Sequence, residues 1–500
     1  MTVPAADFVP VIVGAGQINN RPADPADGLD PVGLMAGALQ RAEADAGGAG
    51  GWLADCDALS VIGQIGWPQL NPVAAALAAQ LRMAPAHCEE TLPHGDSPVR
   101  LLSEAANRIG RGEARICVVV GGEALRTARQ LAARAAQAAH DPLRNATHRH
   151  RTGYAQSYGL VLPTDVYPLY ENACRAAWGQ SLAEGQAENG AIWAQMAHVA
   201  AGNPHAWLRQ AYSAEDIVTP SERNRPVAFP YTKLQVANAS VNQGAGFIVT
   251  SLAEARRRGV ADDRLVFIGH GAGAHEPASI LDRPDFTSSA SMACVLRAAL
   301  DRNDAAAETL AAAEFYSCFP CVPKMARRII GWPLDRPVTV FGGLTFGGGP
   351  IGNYMSHAVA AMAQLLRGSD ARGLLFGNGG YATYNHALVL SGSPTGHAFP
   401  QDFDIQGAAD AARPAAPPVD ESYTGAATLE TWTVHYNRDS TPRSATVVAR
   451  TGAGARTLAL VPSGDTVAIA ALTGGMTEPV GSAGRILFEQ PDGLARWRFA

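Results

Sequence analysis

The feature that most limits what this chain can fold into is an internal duplication. The run Arg111-Gly112-Glu113-Ala114-Arg115-Ile116-Cys117-Val118-Val119-Val120-Gly121-Gly122 returns in outline over residues 367–380, ending Leu374-Leu375-Phe376-Gly377-Asn378-Gly379-Gly380, an offset of about 256 positions. Val11-Ile12-Val13-Gly14 matches Val266-Phe267-Ile268-Gly269, and the stretch from Met35 to Arg41 matches that from Met292 to Arg297, at nearly the same offset. A repeat that long is no solenoid. It predicts two similar α/β halves in one chain, with the site between them.

Composition supports this reading. A chain of 500 residues with 47% apolar and 17% charged content can bury large cores and divides into two or three domains. The net charge of −6 and the absence of a Lys/Arg run among aromatics argue against nucleic acid as a partner. Neither a basic-then-apolar leader nor a bilayer-length apolar run is present, so the expected compartment is the cytoplasm. Seven scattered cysteines read as reduced thiols rather than a disulfide framework.

Short β-branched runs ending in glycine predict buried strands at 11–13, 116–120, 265–268, 338–341 and 374–376, with helices at 98–109 and 355–366. The expected domains are an N-terminal half over 1–255, interrupted by a helical insertion at about 126–235, and a C-terminal half over 256–400. An Ala/Pro-rich linker follows at 401–420, then a small β-barrel over 421–500 with strands near 431–436, 444–450, 456–461, 485–488 and 495–499.

Four motifs make the reading specific: Asn238-Ala239-Ser240-Val241-Asn242-Gln243-Gly244-Ala245-Gly246, Phe229-Pro230-Tyr231-Thr232-Lys233, the Gly-rich run from Phe341 to Pro350, and Glu314-Phe315-Tyr316-Ser317-Cys318-Phe319. Together they resemble the thiolase superfamily, nearest its sterol-carrier-protein-type branch, over roughly residues 8–395. The trailing β-domain resembles the extension of thiolase-like proteins of type 1. The resemblance implies a five-layered αβαβα fold, a helical loop domain covering a coenzyme A site, an OB-like C-terminal barrel and a homodimer. It also implies an acetyl-CoA-acetyltransferase-like activity on acyl-coenzyme A, with no tightly bound cofactor and no metal. Ser240, Asn238, Asn242 and Gly348 are the coenzyme A contacts it implies.

The catalytic positions depart from the pattern. Gly95 stands where the family places a nucleophilic Cys at a helix N-terminus, a setting that lowers a thiol's pKa. Gly349 replaces the His of Gly-His-Pro, the second Cys falls near Phe376 or Gly377, and Tyr316 replaces the His of His-Asp-Cys-Phe. The remaining catalytic candidates are Tyr316 as a phenol beside the reacting carbonyl, Cys318, Ser97, His357 and His386. Ser97 reads first as a helix N-cap before Pro98, with Asp96 suiting the positive helix end. The glycines at 95 and 349 predict a pocket wider than the family's.

Cys318-Phe319-Pro320-Cys321 has redox or metal spacing but no second pair. Gly347-Gly348-Gly349-Pro350-Ile351-Gly352 fits a dinucleotide fingerprint without its acidic partner. The basic loop 148–151 reads as solvated, or as facing coenzyme A phosphates. Three functions stay open: an acyltransferase acting at a carbon–carbon bond without an acyl-Cys, a retro-aldol lyase on a 3-hydroxyacyl-coenzyme A, and a non-catalytic acyl-coenzyme A binder.

Overall fold

Alternation along the central strands sorts their side chains into two separate layers. In strand β1 (Pro10–Asn19), Val11 and Val13 join one apolar cluster and Ile12 the other; in β4 (Ile116–Ala124), Ile116, Val118 and Val120 face the first while Cys117 and Val119 face the second. Both faces are buried, which is why these strands read as unbroken apolar runs. The computed structural model describes residues 5–136, 153–489 and 492–500.

The remaining strands of the main body are β2 (Ala58–Ile62), β3 (His87–Thr91), β7 (Asn242–Ser251), β8 (Val266–His275), β9 (Ala312–Phe315), β10 (Arg372–Gly379) and β11 (Tyr384–Ser391), ordered β3-β2-β4-β7-β1-β8-β11-β10-β9. The duplication is visible in the pairing. β2 lies parallel to β4, β4 antiparallel to β7 and β7 antiparallel to β1; β9 lies parallel to β10, β10 antiparallel to β11 and β11 antiparallel to β8. Among the described residues the strands of the two halves pair at Val11↔Phe267 and Ile12↔Val266, after which the two sheets part.

Between the sheets lie the helices Ser97–Gly110 and Tyr354–Leu366, each touching strands of both halves. Helices Pro31–Ala46 and Ala290–Asp301 cover the outer faces, completing the five layers.

Residues 338–341, expected as a strand, form none. The neighbouring Glu314 carboxylate takes the Val340 and Phe341 amides at 2.8 and 3.2 Å, so those donors are satisfied without a ladder. Nor is the linker free chain. Helix Gln406–Ala412 packs against Ala290–Asp301, and Arg413 bonds Glu276 at 2.6 Å.

The insertion is helical, with Pro163–Ala177 and Leu182–Gly202 its long elements; the basic loop 148–151 lies outside the described residues. It ends in a hairpin, β5 (Pro226–Ala228) and β6 (Tyr231–Thr232).

The C-terminal region closes β12 (Gly425–Tyr436), β13 (Pro442–Thr451), β14 (Arg456–Pro462), β16 (Arg496–Phe499) and β15 (Ala483–Leu487) into a ring, with helix Thr466–Thr473 between β14 and β15. Strand order 1-2-3-5-4-1, with a parallel pair between the third and fifth, is an OB-type barrel. Hairpin β5–β6 extends the same sheet through His435↔Ala228. Thr431 donates to the Leu169 carbonyl and Asn172 to that of Trp432, so barrel and insertion share a buried polar seam.

Candidate functional site

Gly95 opens the turn that starts helix Ser97–Gly110. A Cβ there would collide with the Asn378 carbonyl oxygen and with the ring end and hydroxyl of Tyr316. The phenol of Tyr316 therefore occupies the space a nucleophile's side chain would need. The wider pocket expected from glycine at 95 is corrected accordingly: Tyr316, itself 7% exposed, fills it. A Cβ on Gly349 would lie 3.3 Å from the Leu344 carbonyl, and one on Gly377 2.9 Å from Cα of Asp96, so these positions are close-packed too. Phe376 lies wholly in the core, its carbonyl accepting the Tyr316 amide at 2.9 Å.

Asp96 is the residue that the sequence reading assigned only to the helix end. It does cap the helix by position, but its side chain makes no capping bond, and its Oδ1 is buried without a partner. Burial, opposed by the nearby Arg100 charge, pushes its carboxyl up to about 6. Tyr316 feels that carboxylate and the buried Cys318; burial first, then these neighbours, raises its hydroxyl well above 10. Tyr316 is consequently a neutral donor and not a base at physiological pH. Its hydroxyl has no hydrogen bond among the described residues. Next to it Tyr167 donates toward Gly380 and Asn378 oxygens at 3.0 and 3.2 Å, and its ring stacks on Phe319. A carboxylic acid one residue past the family's nucleophile position was the available signal.

The other catalytic candidates fall elsewhere. His357 is fully buried, its Nδ1 2.7 Å from Oε1 of Gln17 and its ring stacked on Phe341. His386 bonds Ser103 at 2.9 Å and packs edge-on to Phe403. Burial takes each imidazole down to about 3, so both stay neutral and hold structure. Ser97 donates to the Leu92 carbonyl at 3.2 Å from the first turn of the helix, and it is Asp96 that precedes that turn. Cys318 sits against Tyr167, and burial raises its thiol to about 12, which keeps it protonated and poorly nucleophilic.

Of the expected coenzyme A contacts, Asn238 ties two loops, its amide donating to Leu344 and its carbonyl accepting from Gly349 at 2.9 Å. Its side chain takes the Ser240 amide at 3.1 Å, leaving the half-buried Ser240 hydroxyl without a partner among the described residues. Asn242 is committed elsewhere. It bonds Asn20 and both the amide and hydroxyl of Thr127 and is completely buried. Gly348, at φ 106°, abuts the Gln243 amide group and admits no side chain. Among the described residues no His, Cys, Asp and Glu cluster suits a metal ion, and no helix is long and apolar enough to cross a membrane.

Gly95→Ala tests the packing. Displacing the Tyr316 ring or the Asn378 backbone is expected to cost about 1–3 kcal/mol, read as a lower urea midpoint. Tyr316→Gly in the same background is expected to recover part of that loss; an unchanged midpoint for Gly95→Ala would show that the phenol is free to move.

Residues 404–490 match the family model described as the thiolase-like protein type 1 additional C-terminal domain. By fold the chain is similar to a monomeric SCP2-thiolase-like protein type 1 from Mycobacterium smegmatis, at 27% identity and TM-score 0.83, over 99% of this chain and all of that one. The Ltp2–ChsH2(DUF35) aldolase superposes at TM-score 0.60 with 16% identity, over 78% of this chain and 99% of that one. The dimeric peroxisomal thiolase of Saccharomyces cerevisiae does so at 0.56 with 14% identity, over 78% and 98%. Among curated proteins none matches by sequence. With its duplicated α/β halves and fused OB-type barrel, the chain is a thiolase-like protein with an additional C-terminal domain.

Proposed function

We propose that this protein binds an acyl-coenzyme A thioester and works on a carbon–carbon bond by proton transfer, as a retro-aldol lyase on a 3-hydroxyacyl-coenzyme A, with no acyl-enzyme. One observation carries this reading: the unbonded Tyr316 hydroxyl stands over Gly95 beside the buried Asp96 carboxyl, whose Oδ1 has no partner. Acyl transfer needs a group to hold the acyl chain. Gly95 has no side chain, and the Cys318 thiol is held protonated. The aldolase among the fold relatives lends nothing beyond the fold at 16% identity.

In this reading Asp96, ionised above about pH 6, takes the proton of the 3-hydroxyl. The electrons of the C2–C3 bond pass into the thioester as an enolate, whose oxygen accepts a hydrogen bond from neutral Tyr316. An aldehyde or ketone leaves, and protonated Asp96 returns its proton to C2. The Asn238–Ser240 loop, with its free hydroxyl, faces the pantetheine arm.

Calorimetry with coenzyme A esters, followed by mass spectrometry of mixtures with 3-hydroxyacyl-coenzyme A, tests this. The expected products are a shortened acyl-coenzyme A and a carbonyl compound, formed at a rate that rises to a plateau above about pH 6. Binding without products across chain lengths favours a carrier, a reading that the close packing of Tyr316 also suits; free coenzyme A and an acylated product would restore acyl transfer.

For assembly the reading departs from the homodimer. The outer strand β3, which has no further neighbour among the described residues, carries Glu89, bonded to Ser60, and Glu90, bonded to the Val73 and Ala74 amides, and acidic side chains on an edge strand oppose strand addition. Light scattering near 52.1 kDa is expected. Seven free thiols agree with a cytoplasmic setting.

A further inference from the structure

Where the two sheets part beyond Ile12, a cleft of about 460 Å³ opens, lined by Gln17, Asp45, His205 and the guanidiniums of Arg41, Arg264 and Arg367. Asp45 is the single carboxylate of that lining, and it is saturated. Its Oδ1 accepts from Arg264 and Arg367 at 3.1 and 2.8 Å, its Oδ2 from Arg367 and the Ala15 amide at 2.7 and 2.9 Å. Three cations against one anion leave an excess of positive charge. Arg41 makes no hydrogen bond or ion pair among the described residues, and Nε of Arg367 is buried without a partner. His205 adds no counter-anion in either protonation state, and burial, then the Arg41 charge, lower the pKa of its imidazole.

Arg41 also lines a second space. A groove of about 520 Å³ runs along helix Pro31–Ala46, walled by Ile18, Leu29, Gly33, Ala36, Gly37 and Ala44. Glycines at 33 and 37, with alanines at 36 and 44, lower the helix surface, so one aliphatic chain can lie close to the backbone. A Cβ at Gly37 would stand 3.7 Å from Nη1 of Arg41, which places the guanidinium in the groove wall, where it borders both spaces. Neither space shares a lining residue with the Gly95–Tyr316 cluster.

We propose that groove and cleft form a binding site for an aliphatic carboxylate, its head held by the free fork of Arg41 at the mouth of the cleft and its chain laid along the Pro31–Ala46 helix. A planar carboxylate matches a guanidinium through two parallel hydrogen bonds. Both spaces have the size of small-molecule sites. This inference is independent of the lyase reading.

Calorimetry of the full chain with acetate, octanoate and decanoate tests it. Decanoate is expected to bind in the micromolar range, on the order of tenfold tighter than octanoate for the two added methylenes. Arg41→Gln is expected to weaken both by at least tenfold. Ala44→Trp, at an exposed helix position, is expected to block the groove and abolish the chain-length dependence, with the unfolding temperature unchanged in either variant. Absence of binding, or decanoate binding that neither variant alters, overturns the site; binding that is independent of chain length in the parent protein overturns the groove as its tail.

Discussion

Replacing Lys324 by Met is expected to cost about 3–5 kcal/mol, read as a fall in the urea midpoint, because it strands a buried carboxylate. Lys324 is completely buried on helix Cys321–Ile330, its Nζ 2.7 Å from Glu171 and 2.9 Å from Asn189. Glu171 also accepts from Tyr231 at 3.0 Å, and Glu188, 4.0 Å from the ammonium, is clasped by Arg327 and Arg328. Against its burial, Arg328, Lys324 and Gln180 hold the Glu188 carboxyl down to about 2. The cluster joins the insertion's two long helices and its hairpin to the C-terminal half. Adding Glu171→Gln to Lys324→Met removes the orphaned charge and is expected to return most of the loss; no recovery would assign the effect to packing alone.

Asp96→Asn is expected to lower turnover by about 10²–10⁴ while raising stability at pH 8. The sign follows from the raised carboxyl. The folded state holds a proton up to about pH 6, whereas an ordinary aspartate releases it near 4. Over that window the folded state binds more protons than the unfolded chain, so stability falls as pH rises, by on the order of 2–3 kcal/mol. Asparagine carries no such penalty, and its advantage is expected at pH 8 and to vanish near pH 4. Tyr316→Phe, which loses a donor but no charge, is expected to lower turnover about 10²-fold without the pH-dependent gain. Turnover retained by Asp96→Asn would remove this carboxyl from the chemistry.

The duplicated framework was legible because strands buried on both faces write continuous apolar runs, as at Val118–Val120 and Leu374–Phe376, and the barrel strands alternated clearly. Residues 338–341 carry the same apolar, β-branched signature, yet whether a ladder or the Glu314 carboxylate takes the amides is decided by a partner more than twenty positions away. Helix Gln406–Ala412 hid in Ala/Pro-rich sequence because its anchor, Arg413 to Glu276, is a tertiary contact. The loss of the family's nucleophile and histidine was plain in Gly95 and Gly349. That Tyr316 swings into the space left at 95 was not, since 221 positions of chain separate the two and only packing brings them together. Asp96 was misjudged for a simpler reason: a carboxylate ahead of a helix looks the same in sequence whether it caps the helix or stays unbonded.

The union of hairpin β5–β6 with the barrel has a consequence for the order of events on the ribosome. Tyr231 leaves the exit tunnel long before Gly425, by on the order of ten to forty seconds at ~5–20 residues per second. Through that interval the face of helix Pro163–Ala177 that meets Thr431 and Trp432 lacks the barrel that covers it in the finished fold, until the last strands arrive.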